Sequence, residues 1–260
     1  QPGGWGAVID YAHPLSGPPD VTAAIVCYEI YLRYHAMGLA HAGSPYAFPT
    51  IGSALACTAE AYAAVGGMSR RQGGEDLYFL QELAKTGRVD HVRTTTVYPS
   101  PRPSARVPFG TGPRVAAFLA GEDDPYRLYS PESYECLRRM LRAVEAGAGL
   151  DGVALLEAIN AIRPALGQFM AVSGFEDVWA RLRVNSKTGD QLRRQFHGWF
   201  DGLRTVRAIH CLRDHGQCEM PMFEAVPRLL TLAGKPLPAG LDFAAMRDDL
   251  EQQKHLLLHL

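Results

Sequence analysis

Between Pro99 and Pro113 the chain carries five prolines, Pro99, Pro101, Pro103, Pro108 and Pro113. Each removes a backbone N–H donor and holds φ near −65°, so neither a helix nor an inner strand runs through this stretch. The chain reads differently on its two sides. Before the prolines, Trp5–Tyr11 reads as a strand and 20–41 as a helix, with Ile25, Tyr28, Tyr31, Leu32 and His35 on one face and Gly38 weakening its last turn. Pro45 and Pro49 mark a loop; Ile51–Cys57 then reads as a strand, 77–86 as an amphipathic helix, and Val89–Tyr98 as a β-branched strand. Strands alternating with helices argue an α/β class. After the prolines, 115–119, 132–145, 153–163, 177–182 and 189–213 read as helices, and no strand pattern of equal strength follows. Ser130-Pro131 is a good helix start, with serine as cap and proline in the first turn. The expectation is an α/β segment over 1–113 and an all-helical module over 114–260.

Composition narrows the function classes. With 26 basic and 27 acidic residues the formal net charge is −1, which offers no basic surface for nucleic acid. No apolar run reaches the length of a membrane span, and no basic-then-apolar leader opens the sequence. Five irregularly spaced cysteines do not make a disulfide framework, and cytosolic thiols in a cytoplasmic protein are the simplest account.

The chemistry-bearing stretch is Gly73-Gly74-Glu75-Asp76, which opens the helix carrying Leu77, Leu80, Leu83 and Ala84 on its apolar stripe. Carboxylates at a helix N-terminus complement the macrodipole, and that alone would explain them. Two glycines in front go beyond what a cap requires, because they let the backbone turn sharply and approach another molecule closely. Upstream lie Gly52-Ser53-Ala54-Leu55-Ala56-Cys57, a short helix ending at Gly66-Gly67, and a basic turn at Arg70 and Arg71.

In this order the elements of about 5–112 resemble the second half of a family 2 glycosyltransferase domain of the GT-A fold, a nucleotide-diphospho-sugar transferase. The resemblance implies that Asp76 is the base that deprotonates an acceptor hydroxyl, with Glu75 as neighbour or alternate. It also implies that Gly52, Ser53, Ala54, Gly73 and Gly74, beside Arg70 and Arg71, let sugar and diphosphate approach the backbone. Arg102 or Arg106 would meet diphosphate oxygens, against the plainer reading of both as solvated linker arginines. The activity implied is inverting transfer from a nucleotide-sugar donor to a sugar or other hydroxyl acceptor. The metal carboxylates of such enzymes form an Asp-X-Asp motif, and none occurs in this sequence. The donor-binding half, with its Mg²⁺ or Mn²⁺, is therefore expected outside this chain, and these residues alone are expected to be inactive.

Other constellations carry less. Cys211, His215 and Cys218 share a helical face beside His210, but a tetrahedral site draws ligands from more than one element. Gln191-Leu192-Arg193-Arg194 begins like the Gln-X-X-Arg-Trp motif of processive polysaccharide synthases, yet Gln195 stands in the tryptophan's place. Gly110-Thr111-Gly112 lacks the lysine of a phosphate loop. Tyr28, Tyr31 and Tyr34 stand at helical spacing, read as core packing ahead of a sugar-stacking platform. Leu192, Phe196, Trp199, Phe200, Leu203, Val206 and Ile209 share a broad apolar face, either buried or facing a partner. An exposed face would favour a rival function, a non-catalytic interaction module whose helical half binds a protein partner; under either reading the helical module is a candidate for homo-oligomer contacts. A carboxylate-based hydrolase would need a second convergent acid, which the sequence does not identify.

Overall fold

A computed structural model of the chain describes residues 5–70, 73–104, 107–108, 110–122 and 124–260. The first part runs β1 (Trp5–Tyr11), α1 (Pro19–Ala42), β2 (Leu55–Cys57), α2 (Ala59–Ala64), α3 (Glu75–Thr86), β3 (Arg88–Val97). The second runs α4 (Thr111–Ala120), β4 (Arg127–Leu128), α5 (Pro131–Ala146), α6 (Gly152–Ile162), α7 (Pro164–Val172) and α8 (Phe175–Asn185). It continues through α9 (Gly189–Trp199), α10 (Gly202–Asp214), β5 (Met220–Pro221), α11 (Met222–Leu232) and α12 (Leu250–Leu257). The class is mixed α/β, with helices dominant. Among the described residues no helix is long and apolar enough to cross a membrane.

The sheet has the order β2-β1-β3. β1 and β3 are parallel and end together, Tyr11 opposite Val97, while β2 runs antiparallel to β1. Between the pairs Ile9–Val92 and Asp10–Thr96 the register jumps, so Arg93, Thr94 and Thr95 bulge from the ladder. The strand expected over Ile51–Cys57 is shorter than its sequence suggests. Ala54 N–H bonds back to Ile51 C=O at 2.8 Å, so the small residues Gly52 and Ser53 turn, and only Leu55–Cys57 pairs. The turn still lies beside the end of β1, because Ile9 N–H donates to Ala54 C=O at 2.8 Å.

α3 packs on the sheet through Phe79, Leu80 and Leu83, with Val8 and Ala61. Its buried Gln81 faces away from that layer. Gln81 Oε1 accepts the Leu203 N–H at 3.1 Å and its Nε2 donates to Asp201 Oδ2 at 3.2 Å, where Lys85 also binds. This tie exists because the single helix expected over 189–213 is two helices. Phe200 and Asp201 leave the helical path, and the Asp201 side chain caps α10 by accepting from Arg204 N–H. Asp and Gly in succession are a start signal that competes with continuation. The apolar face stays in phase across the break, which is why periodicity alone reads it as one helix. Leu192, Phe196, Phe200 and Ile209 are buried, while Trp199, Leu203 and Val206 are half-buried. α7, α11 and α12 carry no sequence expectation and complete the helical part.

α1 belongs to both parts. Val26, Ile30, Tyr34 and Met37 lie in the same core as Leu137, Met140, Phe175, Trp179, Phe196 and Leu229 from the helices after the prolines. Of the tyrosines at 28, 31 and 34, only Tyr34 is fully buried, and its hydroxyl donates to Tyr129 C=O at 2.6 Å. Gly38, expected to weaken the last turn of α1, lies inside a helix that runs on to Ala42 and stops at a left-handed Gly43. A Cβ added at Gly38 would stand 2.6 Å from the Tyr134 ring. Glycine is here because an aromatic ring rests on the helix backbone.

This assigns an unusual sign to one substitution. On helix propensity alone Gly38→Ala should stabilise by about 1 kcal/mol. The collision with Tyr134 predicts the opposite, a loss of about 1–3 kcal/mol from overpacking. Urea unfolding of the two proteins decides it: a variant as stable as the parent or more so would show that the ring does not depend on this glycine.

Candidate active site

In open α/β sheets ligands bind outside the carboxyl ends of the parallel strands. Here that end is formed by Tyr11, Val97 and the turn Ile51–Ala54, and α3 begins beside it. Gly73 (φ 152°) and Gly74 (φ 70°) both have positive φ, and Gly74 is the left-handed N-cap of α3. An L-residue is strained there, so the glycine pair is required for the chain to enter the helix at this angle. It delivers Glu75 and Asp76 to the first turn.

Asp76 is half-buried. Its Oδ1 accepts the Leu77 N–H at 2.8 Å, and a Cβ added to Gly52 would stand 2.9 Å from its Oδ2. Gly52 itself is exposed, so the carboxylate lies against bare backbone at the rim of the site. Burial raises the Asp76 pKa above the usual carboxylate value, and the Glu75 charge adds to this; the Leu77 N–H works against it. A carboxyl held up in this way is a stronger proton acceptor than a solvated one.

α1 supplies the neighbouring wall. Tyr28 is half-buried, its phenol pKa raised first by burial and then by Tyr31; the charge of Arg114 lowers it and that of Asp76 raises it. Tyr28 and Tyr31 stack at 6.2 Å, and Tyr31 stacks on His35 at 6.2 Å. Behind them the Tyr31 ring lies 6.4 Å from that of Tyr129, whose hydroxyl meets His210 Nε2 at 2.8 Å, and His35 Nδ1 meets the Tyr134 hydroxyl at 2.8 Å. Burial, then the charge of His210, pushes the His35 pKa down to about 4, so its ring is neutral near pH 7. The aromatic row is thus neither a pure core nor an open platform: it is anchored inward, and Tyr28 stands half-buried at its other end.

The remaining sequence candidates are unevenly placed. Ser53 is exposed, and Ala54 is buried with Tyr11 and Ile51. Arg70 and Arg102 are exposed and make no ion pair among the described residues. Arg71 and Arg106 lie outside the described residues. Ser104 and Gly112 lie close together, since a Cβ on Gly112 would stand 2.6 Å from Ser104 Cβ. α4 packs on α1 and presents Arg114, which carries no sequence expectation, over the Tyr31 ring. Nothing in the local sequence marks Arg114 as a neighbour of Tyr31, because the two meet only through packing.

Two clefts lie elsewhere. One of about 420 Å³ sits between α5, α8 and α9, with Glu145, Asp190, Arg193 and His197 around buried Trp179 and Phe196. A more open one of about 590 Å³ adjoins it. Neither is lined by Asp76. The four residues of the possible zinc cluster have other surroundings: His210 meets Tyr129, Cys211 Sγ meets Ala165 C=O at 3.5 Å, His215 meets Cys211 C=O at 2.8 Å, and Cys218 is exposed. Among the described residues no three His, Cys, Asp or Glu side chains converge.

The Gly52 contact gives a direct test. Gly52→Ala places a methyl 2.9 Å from Asp76 Oδ2, and the flexible carboxylate is the group that yields. The expected outcome is a stability change within about 0.5 kcal/mol, as for other exposed positions, together with a displaced Asp76 side chain visible in a crystal structure. An Asp76 left unmoved, or a protein that fails to fold, would contradict the arrangement. No family model, curated protein or solved structure matches this chain, so the reading of the site rests on its own residues.

Proposed function

We propose that this chain is the acceptor-side half of an inverting glycosyltransferase of the GT-A kind joined to a helical module, with Asp76 as the catalytic base. The observation that carries the proposal is the Asp76 carboxylate itself: half-buried, raised in pKa, and lying against the bare backbone of Gly52 at the carboxyl end of the parallel strands. In the reaction the acceptor hydroxyl oxygen attacks the anomeric carbon of the donor. Its proton passes to Asp76, and the nucleotide diphosphate leaves with the electron pair of the broken C–O bond. Attack opposite the leaving group inverts the anomeric configuration.

The donor pocket is supplied from outside these 260 residues in this reading, since the sequence holds no Asp-X-Asp. The described residues do not offer a ligand set for the divalent cation that the resemblance implies, and the role given to Asp76 does not draw on one. The rival reading, an interaction module, asks for an exposed apolar face over 192–209; most of that face is taken up in the helical core.

Asp76→Asn in the complete enzyme tests the assignment. Loss of a general base lowers the transfer rate by about a hundred- to ten-thousand-fold. Stability gives an independent sign. A carboxyl whose folded pKa is raised stabilises the fold below its unfolded pKa, and that stability is lost as pH rises through the folded pKa. Asparagine removes this penalty at neutral pH and gives back about 0.5 kcal/mol of helix-dipole interaction, so the melting temperature should not fall appreciably. Glu75→Gln is the control, with the smaller effect on rate. Near-parental transfer by Asp76→Asn would remove the base assignment, and a collapse in stability would mean that the residue serves the fold instead.

A further inference from the structure

α5, α8 and α9 enclose a cleft of about 420 Å³ that the reaction assigned to Asp76 does not use. Its walls are small where they meet. Ala148 follows the end of α5, and a Cβ added at Gly189, the first residue of α9, would meet nothing within 4 Å. The floor is apolar and fixed. Trp179 and Phe196 are buried, their rings 6.2 Å apart edge to face, and the Trp179 indole N–H donates to Leu150 C=O at 3.0 Å. A cleft of this volume over an apolar floor suits a small organic molecule.

The rim is charged and loosely paired. Arg193 stands 3.9 Å from Glu145 Oε1 and 3.7 Å from Asp190 Oδ1, beyond hydrogen-bond reach of both, so neither ion pair is closed. His197, one turn on from Arg193, adds no charge: burial, then Arg193, pushes its pKa down to about 4, and its ring is neutral near pH 7. The lining thus carries two carboxylates and one guanidinium. An anionic ligand would meet a guanidinium flanked by two carboxylates, whereas a cation meets two carboxylates for one guanidinium. The adjoining cleft is lined by Arg183 and Lys187 and by no carboxylate, so a cation is steered to the Glu145 end. We propose that the cleft between α5, α8 and α9 is a ligand site for an organic ammonium with an apolar body. The body packs on the floor of Trp179 and Phe196, and the ammonium lies at the rim with Glu145 and Asp190. This site stands independently of the transferase reading of Asp76.

The test is titration of the full chain, labelled with nitrogen-15, by 2-phenylethylamine, 2-phenylethanol and 3-phenylpropionate, which share a ring and differ in charge. Expected are shifts of the Trp179 indole N–H and of the amides of Gly189, Arg193 and His197, with the Trp5 indole unmoved. The amine should bind about fivefold more tightly than the alcohol, the worth of one favourable exposed ion pair, and 3-phenylpropionate more weakly than either. Glu145→Gln combined with Asp190→Asn should abolish the preference for the amine. Arg193→Gln should strengthen amine binding, because it removes the competing cation; the amide spectrum of each variant reports its folding. Alcohol or 3-phenylpropionate binding as tightly as the amine overturns the proposal, as does a preference that survives the double variant or amine binding weakened by Arg193→Gln. No saturable binding of the amine at tens of millimolar also overturns it, and so do shifts confined to 186–188, which would put the ligand in the adjoining cleft. Asp76→Asn should leave amine binding unchanged; its loss in that variant would mean that the amine binds at Asp76 and that the cleft is not its site.

Discussion

The structure depends on a carboxylate buried at the junction of sheet and helices. Glu29, in the middle of α1, is almost without exposure; its Oε1 meets both the backbone N–H and Nδ1 of His13 at 2.6 Å, and Arg33 reaches its Oε2 at 3.4 Å. Arg33 also donates to Tyr11 C=O at 2.7 Å and lies over the Tyr11 ring at 5.0 Å. Such a cluster is a poor way to gain stability, since desolvation offsets most of the attraction. Tyr11 Oη, His13 Nε2 and Arg33 Nε are also buried without a partner among the described residues, each at a cost of about 1–3 kcal/mol. What it secures is position: α1 is pinned, in rotation and in height, to the carboxyl end of β1.

The site inherits its geometry from that pin. Tyr31, two residues after Glu29 on α1, is set to receive Arg114. The other half of the site is pinned from the far side. Gln81 and Lys85 hold α3 to the α9–α10 corner, and the Tyr46 hydroxyl donates to His197 C=O at 2.6 Å just before the chain reaches the Ile51–Ala54 turn. The helical part is thus a buttress for the two segments that carry Gly52 and Asp76. Those segments have little core of their own: the cluster beneath α3 is built on Val8, Ala61, Phe79, Leu80 and Leu83.

Much of this was legible in the chain before folding was considered. β1, α1, α3 and β3 each show one strong period bounded by turn chemistry, and they form within a residue or two of where that period places them. The glycine pair before Glu75 was legible for the same reason, because only a backbone with positive φ asks for it. The misreadings are equally physical. At Ile51–Ala54 small residues that suit a strand suit a turn as well. At 200–201 an apolar stripe stays in phase through a helix break, so the cap at Asp201 is the only local sign of it. Gly38 reads as a weak point in a helix and is in fact the seat of an aromatic ring.

By itself the sequence determined the class, the alternation of strands and helices up to the prolines, the helical character after them, and the delivery of two carboxylates to a helix start. These follow from local periodicity and backbone chirality, which neighbouring residues decide among themselves. Only the tertiary structure decided that Asp76 lies against Gly52, that α1 serves two parts at once, and that Arg114 lies over the Tyr31 ring. Such encounters join segments far apart in the chain, and they are selected by how buried faces fill space together, which no local pattern records.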